Sequence, residues 1–373
     1  MMLNLQNLVY FMAFLPFVNW GIPIFETDVQ PFYLLCIVFF LIANIKFIKV
    51  TKFERRLILI GLIGTIYVLM FGFEYKKSVS FIALVIGVIF FQRNTYSLKA
   101  IRVVFIFYSV FFFLWKINPS VARDFQSLFV RNINGTSISF RGIPLLSTEP
   151  GLFAGMGVIL IELYLLKIKD KFVLVDYLFV GLMAFYVVSS FSGTAIIFMV
   201  IFFLMRFRKI SNLLIYGAIL LIIPVVLINY FPQTRISLLF NALLFEGGSI
   251  TNDSSVIYRI SSLMVSLEYF ISNPLGGLGV SSIENEIQQL YYLKYYDPKL
   301  GIDKNIHFVS SLGYMLVVGG VITLAFIVML IKEYLTIKGV VYFLICASFS
   351  YSLLFPVSLI LLIENSKQKV CVE

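Results

Sequence analysis

The sequence predicts an all-α, polytopic integral membrane protein of eleven or twelve transmembrane helices, with a large outer loop carrying amphipathic helices. Three observations lead there. Of its 373 residues 60% are hydrophobic and only 13% charged, with a mean hydropathy of +0.98, whereas soluble domains carry about 25% charged residues. Apolar runs close to the roughly 20 residues that span a bilayer core recur along the chain. Between them basic loops alternate with acidic or neutral ones, the charge asymmetry of a polytopic protein.

Taken in order, spans are expected at about 3–24, 31–48, 57–73, 78–92, 101–116, 150–167, 172–190, 192–206, 211–230, 306–331 and 339–363. The first starts at Leu3 with no basic residue before it and no small-residue cleavage pattern, so it reads as a retained helix and not a signal peptide. The last crosses once, or forms a returning hairpin at Pro356, which sets the count at eleven or twelve. The clusters Lys46, Lys49, Lys52, Arg55, Arg56, then Arg93, Lys99, Arg102, then Lys167, Lys169, Lys171, then Arg206, Arg208, Lys209 fall on every second loop and mark the cytoplasmic face. The net charge of +10 is therefore a topology signal and points to no nucleic acid. Cys36, Cys346 and Cys371 lack CxxC spacing, which supports neither a disulfide framework nor a zinc site.

The alternate loops face outward, and two are long: 117–149 and 231–305. Long polar connections are where function concentrates. In the second, Ile260, Leu263, Met264, Leu267, Phe270 and Ile271 recur at helical spacing, predicting an amphipathic helix over 255–272 capped near Asp253 or Ser254. The turn-forming NPLGGLG at 273–279 ends it, and a second amphipathic stretch covers 281–294. No segment outside the membrane is long or apolar enough to fold alone, so residues 1–373 read as one membrane domain with an outer cap.

Three segments carry ionisable residues at the outer ends of spans, where burial is costly and function concentrates. RGIPLLSTEPG at 141–151 sets Arg141 and Glu149 around an apolar turn, with Pro150 in the first turn of the helix it opens; a helix cap with an interfacial arginine has the same pattern. Arg259 lies on the outer amphipathic helix ahead of the glycine-rich turn, whose N–H groups suit an anion, although a solvated surface arginine would look alike. His307, the single histidine, opens a span in NIHFVSSLGYMLVVGGVI at 305–322, and its ordinary pKa suits a proton carrier at neutral pH as well as an interfacial role. Glu26 and Asp28 follow from an acidic outer loop, and Glu162 and Asp176 read as carboxylates snorkelling from cytoplasmic helix ends.

Taken together and in order, these segments resemble the O-antigen polymerase and ligase superfamily, bacterial membrane glycosyltransferases that use lipid-diphosphate-linked sugars. The resemblance covers roughly 140–330: Arg141 with STEP before a span, the Ser-rich SSFSGTA at 189–195, Arg259 with NPLGGLG in the large loop, then His307 and GGVI. It implies a GT-C-like helical fold in the inner membrane, with its active site facing the periplasm. It also implies an undecaprenyl-diphosphate-linked glycan as both donor and acceptor, lipid contact, and a partner that regulates chain length.

In such a reaction Arg141 and Arg259 would hold the donor diphosphate, since guanidinium forks bind phosphate oxygens bidentately and keep their charge when desolvated. Glu149 or His307 would take the proton of the attacking hydroxyl. With arginines stabilising the leaving group, no metal and no cofactor is required. A ligase moving finished polymer to lipid A core would share these features. A polysaccharide flippase is the alternative of another class, and it calls for a charged central cavity and shorter outer loops.

Overall fold

The computed structural model describes residues 5–18, 32–43, 50–70, 75–130, 143–147, 150–168, 173–190, 254–275, 280–294, 311–334, 338–341 and 356–370, with short pieces between 199 and 241 and at 296 and 336. In some helical stretches, that of Arg259 among them, only the backbone is described. Every long regular element among these residues is an α-helix. Lipid offers backbone groups no partners, and a helix satisfies them within its own segment. The helices are α1 (Leu5–Ala13), α2 (Phe32–Ala43), α3 (Lys52–Met70), α4 (Tyr75–Arg93), α5 (Leu98–Ile117), α6 (Pro119–Ser127), α7 (Pro150–Ile168), α8 (Leu174–Val188), α9 (Ser254–Ser272), α10 (Val280–Lys294), α11 (Ser311–Glu333) and α12 (Pro356–Val370).

Among the described residues three stretches are long and apolar enough to cross a membrane: Leu98–Ile117, Gly151–Ile168 and Leu312–Glu333. Shorter apolar helices cover Phe32–Ile42, Leu84–Arg93, Leu174–Val188 and Ile260–Ser272. The expected spans at 192–206 and 211–230 fall almost wholly outside the described residues.

Two expectations change. The span expected over 3–24 is interrupted, because α1 ends at Ala13 and residues 14–17 turn. Pro16 explains the stop: it has no N–H to donate, and it steers the residue before it out of helical geometry. The 117–149 loop holds the short helix α6, with Asn118 as N-cap accepting from the Val121 N–H at 3.2 Å and Pro119 in its first turn. Of the stretch expected over 339–363, residues 342–355 lie outside the described residues, and α12 is described from Pro356 onward.

The chain packs as two compact units, Met1–Val9, Pro31–Thr95 and Thr251–Glu373 in the first, Tyr10–Gln30 and Tyr96–Ile250 in the second. In the first unit α3 packs on α4 and α11, α9 on α11 and α10, and α2 and α12 on α4. Thr51 and Glu54 form a reciprocal cap at the start of α3: the Thr51 N–H reaches Glu54 Oε2 at 2.7 Å, and the Glu54 N–H reaches Thr51 Oγ1 at 3.2 Å. Both Glu54 carboxylate oxygens also accept from Arg93, the last residue of α4, at 2.6 Å each. Burial pushes the Glu54 carboxyl up, but the Arg93 and Thr51 hydrogen bonds and the Arg93 charge more than offset it, leaving it below its ordinary value. Lys367 of α12 closes the same end of α4, donating to the carbonyls of Phe91 at 3.0 Å and Asn94 at 2.8 Å.

The second unit is built around α5, which packs on α6, α7 and α8. A Cβ at Gly157 of α7 would stand 2.5 Å from Val187 Cγ2 of α8, so the bare glycine permits that close approach. Asp176 overturns its reading as a snorkelling carboxylate. It is 2% exposed and accepts from Arg102 Nη2 at 2.8 Å, the Tyr164 hydroxyl at 2.7 Å and the Val173 N–H at 3.0 Å. Buried carboxylates persist where paired and hydrogen-bonded in this way.

Candidate functional site

Of the four residues that sequence reasoning singles out, Arg141, Glu149 and His307 lie outside the described residues. Arg259 lies in α9, whose Ser254–Ser272 extent agrees closely with the amphipathic helix expected over 255–272. It precedes the end of that helix by thirteen residues, or about 20 Å at 1.5 Å per residue. What the structure does describe are segments near these residues in the sequence, one in each unit.

In the first unit, the turn after α9 seats in a break in α11. Gly320 adopts φ +48° and ψ −133°, a backbone conformation open essentially to glycine alone, and the helix is interrupted there. In an unbroken helix the Val321 N–H would bond within α11, but here it donates to the Pro274 carbonyl at 2.9 Å. The Tyr67 hydroxyl of α3 donates to the neighbouring Leu275 carbonyl. Thr323 Oγ1 reaches the Met315 carbonyl at 2.8 Å, eight residues back. A straight helix would hold those positions about 12 Å apart, so the hydroxyl measures the bend. Backbone groups freed by the break thus find partners on the turn and on side chains, as a break at membrane depth demands.

The start of NPLGGLG, through Pro274 and Leu275, and Gly320 of GGVI therefore meet at this break. A Cβ at Gly320 would lie 2.5 Å from the Pro274 carbonyl oxygen and 2.6 Å from the Leu275 carbonyl carbon. Turn and helix can meet only over a bare backbone. Nearby on α9 the buried Tyr269 hydroxyl has no hydrogen-bond partner among the described residues, and the Glu286 charge of α10 faces it. The two helices are further joined by an ion pair from Lys294 to Glu268.

In the second unit, the residues leading into STEP are buried and strained. Ile143, Leu145, Leu146 and Ser147 are at most 2% exposed, and Leu145 and Leu146 have φ of +30° and +46°. Positive φ in two successive leucines is unfavourable and persists only where the surroundings impose it. Gln126 of α6 does part of this: its amide accepts from Trp115 Nε1 at 2.7 Å and donates to the Ser147 carbonyl at 3.1 Å. The Ser147 hydroxyl donates to the Pro144 carbonyl. Ser147 is two residues before Glu149 in the sequence.

Sequence reasoning missed Tyr67, Trp115 and Gln126. None stands in a motif, and each acts through a partner distant in the chain or in a loop. Among the described residues no three His, Cys, Asp or Glu side chains are placed to hold a metal ion. The junction and the strained segment supply rigid backbone rather than a reacting group, which suits a frame that positions residues on the loops it anchors. Comparison with protein-family models, curated proteins and solved structures finds no match to this chain.

Proposed function

We propose that this chain is a metal-independent glycosyltransferase of the O-antigen polymerase type, joining undecaprenyl-diphosphate-linked repeat units on the periplasmic side of the inner membrane. In this reading it has eleven or twelve spans in a GT-C-like fold. The observation that carries the reading is the contact of Pro274 and Leu275, which open the NPLGGLG motif, with the Gly320 break, at the end of α3 remote from its basic start. Tyr67, which anchors that turn, follows Glu54 by thirteen residues, or about 20 Å, roughly two thirds of a bilayer core. If the basic end is cytoplasmic, the turn and the loop it closes belong to the outer half.

The chemistry is a displacement at the anomeric carbon of the donor. An acceptor hydroxyl oxygen forms the new glycosidic bond, the bond to the lipid diphosphate breaks, and its electron pair leaves with the diphosphate oxygen. Arg141 and Arg259 meet the charge that develops there, and His307 or Glu149 takes the hydroxyl proton.

The lipopolysaccharide ladder of a deletion strain tests this reading. Core carrying a single repeat is the expected phenotype; bare core would mark a ligase, and an unchanged ladder would remove both. Purified protein should also elongate lipid-linked repeats in detergent without any gradient, which a flippase cannot do. Arg259→Lys, which keeps charge but loses the fork, should be impaired nearly as much as Arg259→Ala.

A further inference from the structure

We infer that a groove between α2, α3 and α4 holds one acyl chain of an anionic phospholipid, with its phosphate on Lys52 and Arg55 at the mouth. The groove is a cavity of about 270 Å³ whose walls include Leu41 of α2, Ile58 and Leu62 of α3, and Ile82 and Ile86 of α4. Its charged lining is the Glu54–Arg93 pair, and both residues sit at one end, in the first turn of α3 and at the last residue of α4. From Glu54 to Leu62 the groove follows α3 for eight residues, about 12 Å. It is therefore a hydrocarbon slot with a polar end, the shape of a lipid.

Charge selects the headgroup. Glu54 is 1% exposed and its two oxygens are taken by Arg93 and the Thr51 N–H, so the one acid among the described residues that line the groove is already neutralised. Lys52, Arg55 and Arg56 are exposed, and no acidic side chain pairs with them among the described residues. Arg55 precedes Ile58 by three positions and Leu62 by seven, and Lys52 precedes Arg55 by three, so they share a helix face. That face runs from two cations to Leu59 and Leu62, which are 58% and 50% exposed. Clustered cations beside a membrane span attract anionic lipid, and a zwitterionic headgroup would bring a cation of its own to the same place. The site lies at the opposite end of α3 from Tyr67 and is independent of any reaction at the turn.

The test uses the full chain, purified and delipidated in detergent, with phosphatidylglycerol or phosphatidylcholine titrated in and bound lipid counted by native mass spectrometry. Phosphatidylglycerol should be retained preferentially. Lys52→Gln and Arg55→Gln should each weaken it about fivefold, with phosphatidylcholine unaffected. Leu62→Trp, which fills the slot and leaves both cations, should abolish the preference, and soluble glycerol phosphate should not compete. Equal retention of the two lipids overturns the inference, as does wild-type binding by the cation variants. Competition by glycerol phosphate would reveal a phosphate site without a groove, and equally overturns it. The two glutamine variants alter exposed residues only, so they remain informative even if Leu62→Trp does not fold.

Discussion

The Val321 N–H donates to the Pro274 carbonyl at 2.9 Å, across 47 positions of chain. It takes the place of an intrahelical bond that Gly320 forbids. A loop whose ends are held this way is registered against the helix it contacts, and both α9 and the start of α11 inherit that register.

Gly320→Ala tests that register. The new Cβ would meet three backbone atoms at 2.5, 2.6 and 2.7 Å, and backbone atoms cannot swing aside as a flexible side chain can. The φ of +48° with ψ of −133° adds strain for any other residue. We expect a loss of about 1–3 kcal/mol, seen as a lower Tm in detergent, with turnover reduced in the surviving fold. Gly181→Ala in α8 has nothing within 4 Å of its Cβ and should leave Tm unchanged. Equal behaviour of the two variants would contradict the seating described for Pro274.

Gln126 gives a second test, in the other unit. Gln126→Leu removes the acceptor of Trp115 Nε1 and the donor to the Ser147 carbonyl, and all three residues are buried. Stranding a buried polar group costs about 1–3 kcal/mol. Leu145 and Leu146 should relax from positive φ once Ser147, two positions before Glu149 in the sequence, is released. Polymer formation should therefore fall further than the Tm loss accounts for, while Trp115→Phe, which keeps the Ser147 contact, should lower Tm with less effect on turnover. Identical effects from both would reduce Gln126 to a packing residue.

How much of this was legible beforehand depends on the range of the interaction. Helices α9 and α10 were readable to within a residue, at Ser254–Ser272 and Val280–Lys294, because their apolar spacing and the intervening NPLGGLG are local. The Gly320 break was not: two glycines in an apolar run read as ordinary close packing until Pro274 arrives from elsewhere in the chain. Asp176 failed for the same reason, since its partner Arg102 is 74 residues away and a lone carboxylate at a helix start looks solvated. Pro16 was visible, but the apolar run from Leu3 continues across it and reads by length alone as one span. Arg141, Glu149 and His307 remain readings of the sequence, because they lie outside the described residues.

Acid should destabilise the first unit through Glu54. Its carboxyl sits below the ordinary value when folded, so its contribution is fully present above the unfolded value of about 4.3 and is lost as pH falls through the lower folded value. The Tm of wild type should drop as pH is lowered from about 5 towards 3. Glu54→Gln should start from a lower Tm at neutral pH and lose less on acidification. Parallel curves for the two proteins would mean that the Arg93 pair adds no linked stability.

The last prediction concerns the proton in the proposed transfer. Glu149 and His307 each stand at the outer start of an expected span, and one base suffices. Glu149 directly precedes Pro150, the first described residue of α7, and a carboxylate at a helix N-terminus is in general favoured in its ionised form and so a weaker base. An imidazole accepts a proton near neutral pH with no prior desolvation, so His307 is the base we expect. A positioned base contributes about 10² to 10⁴ in rate. His307→Ala should accordingly leave Tm and donor binding unchanged while polymerisation of lipid-linked repeats falls at least about a hundredfold. Glu149→Gln should retain most turnover, and the wild-type rate should fall at acid pH as the imidazole is protonated. Near-normal turnover in His307→Ala with collapse in Glu149→Gln would exchange the two roles. Near-normal turnover in both would eliminate this pair as the source of base catalysis.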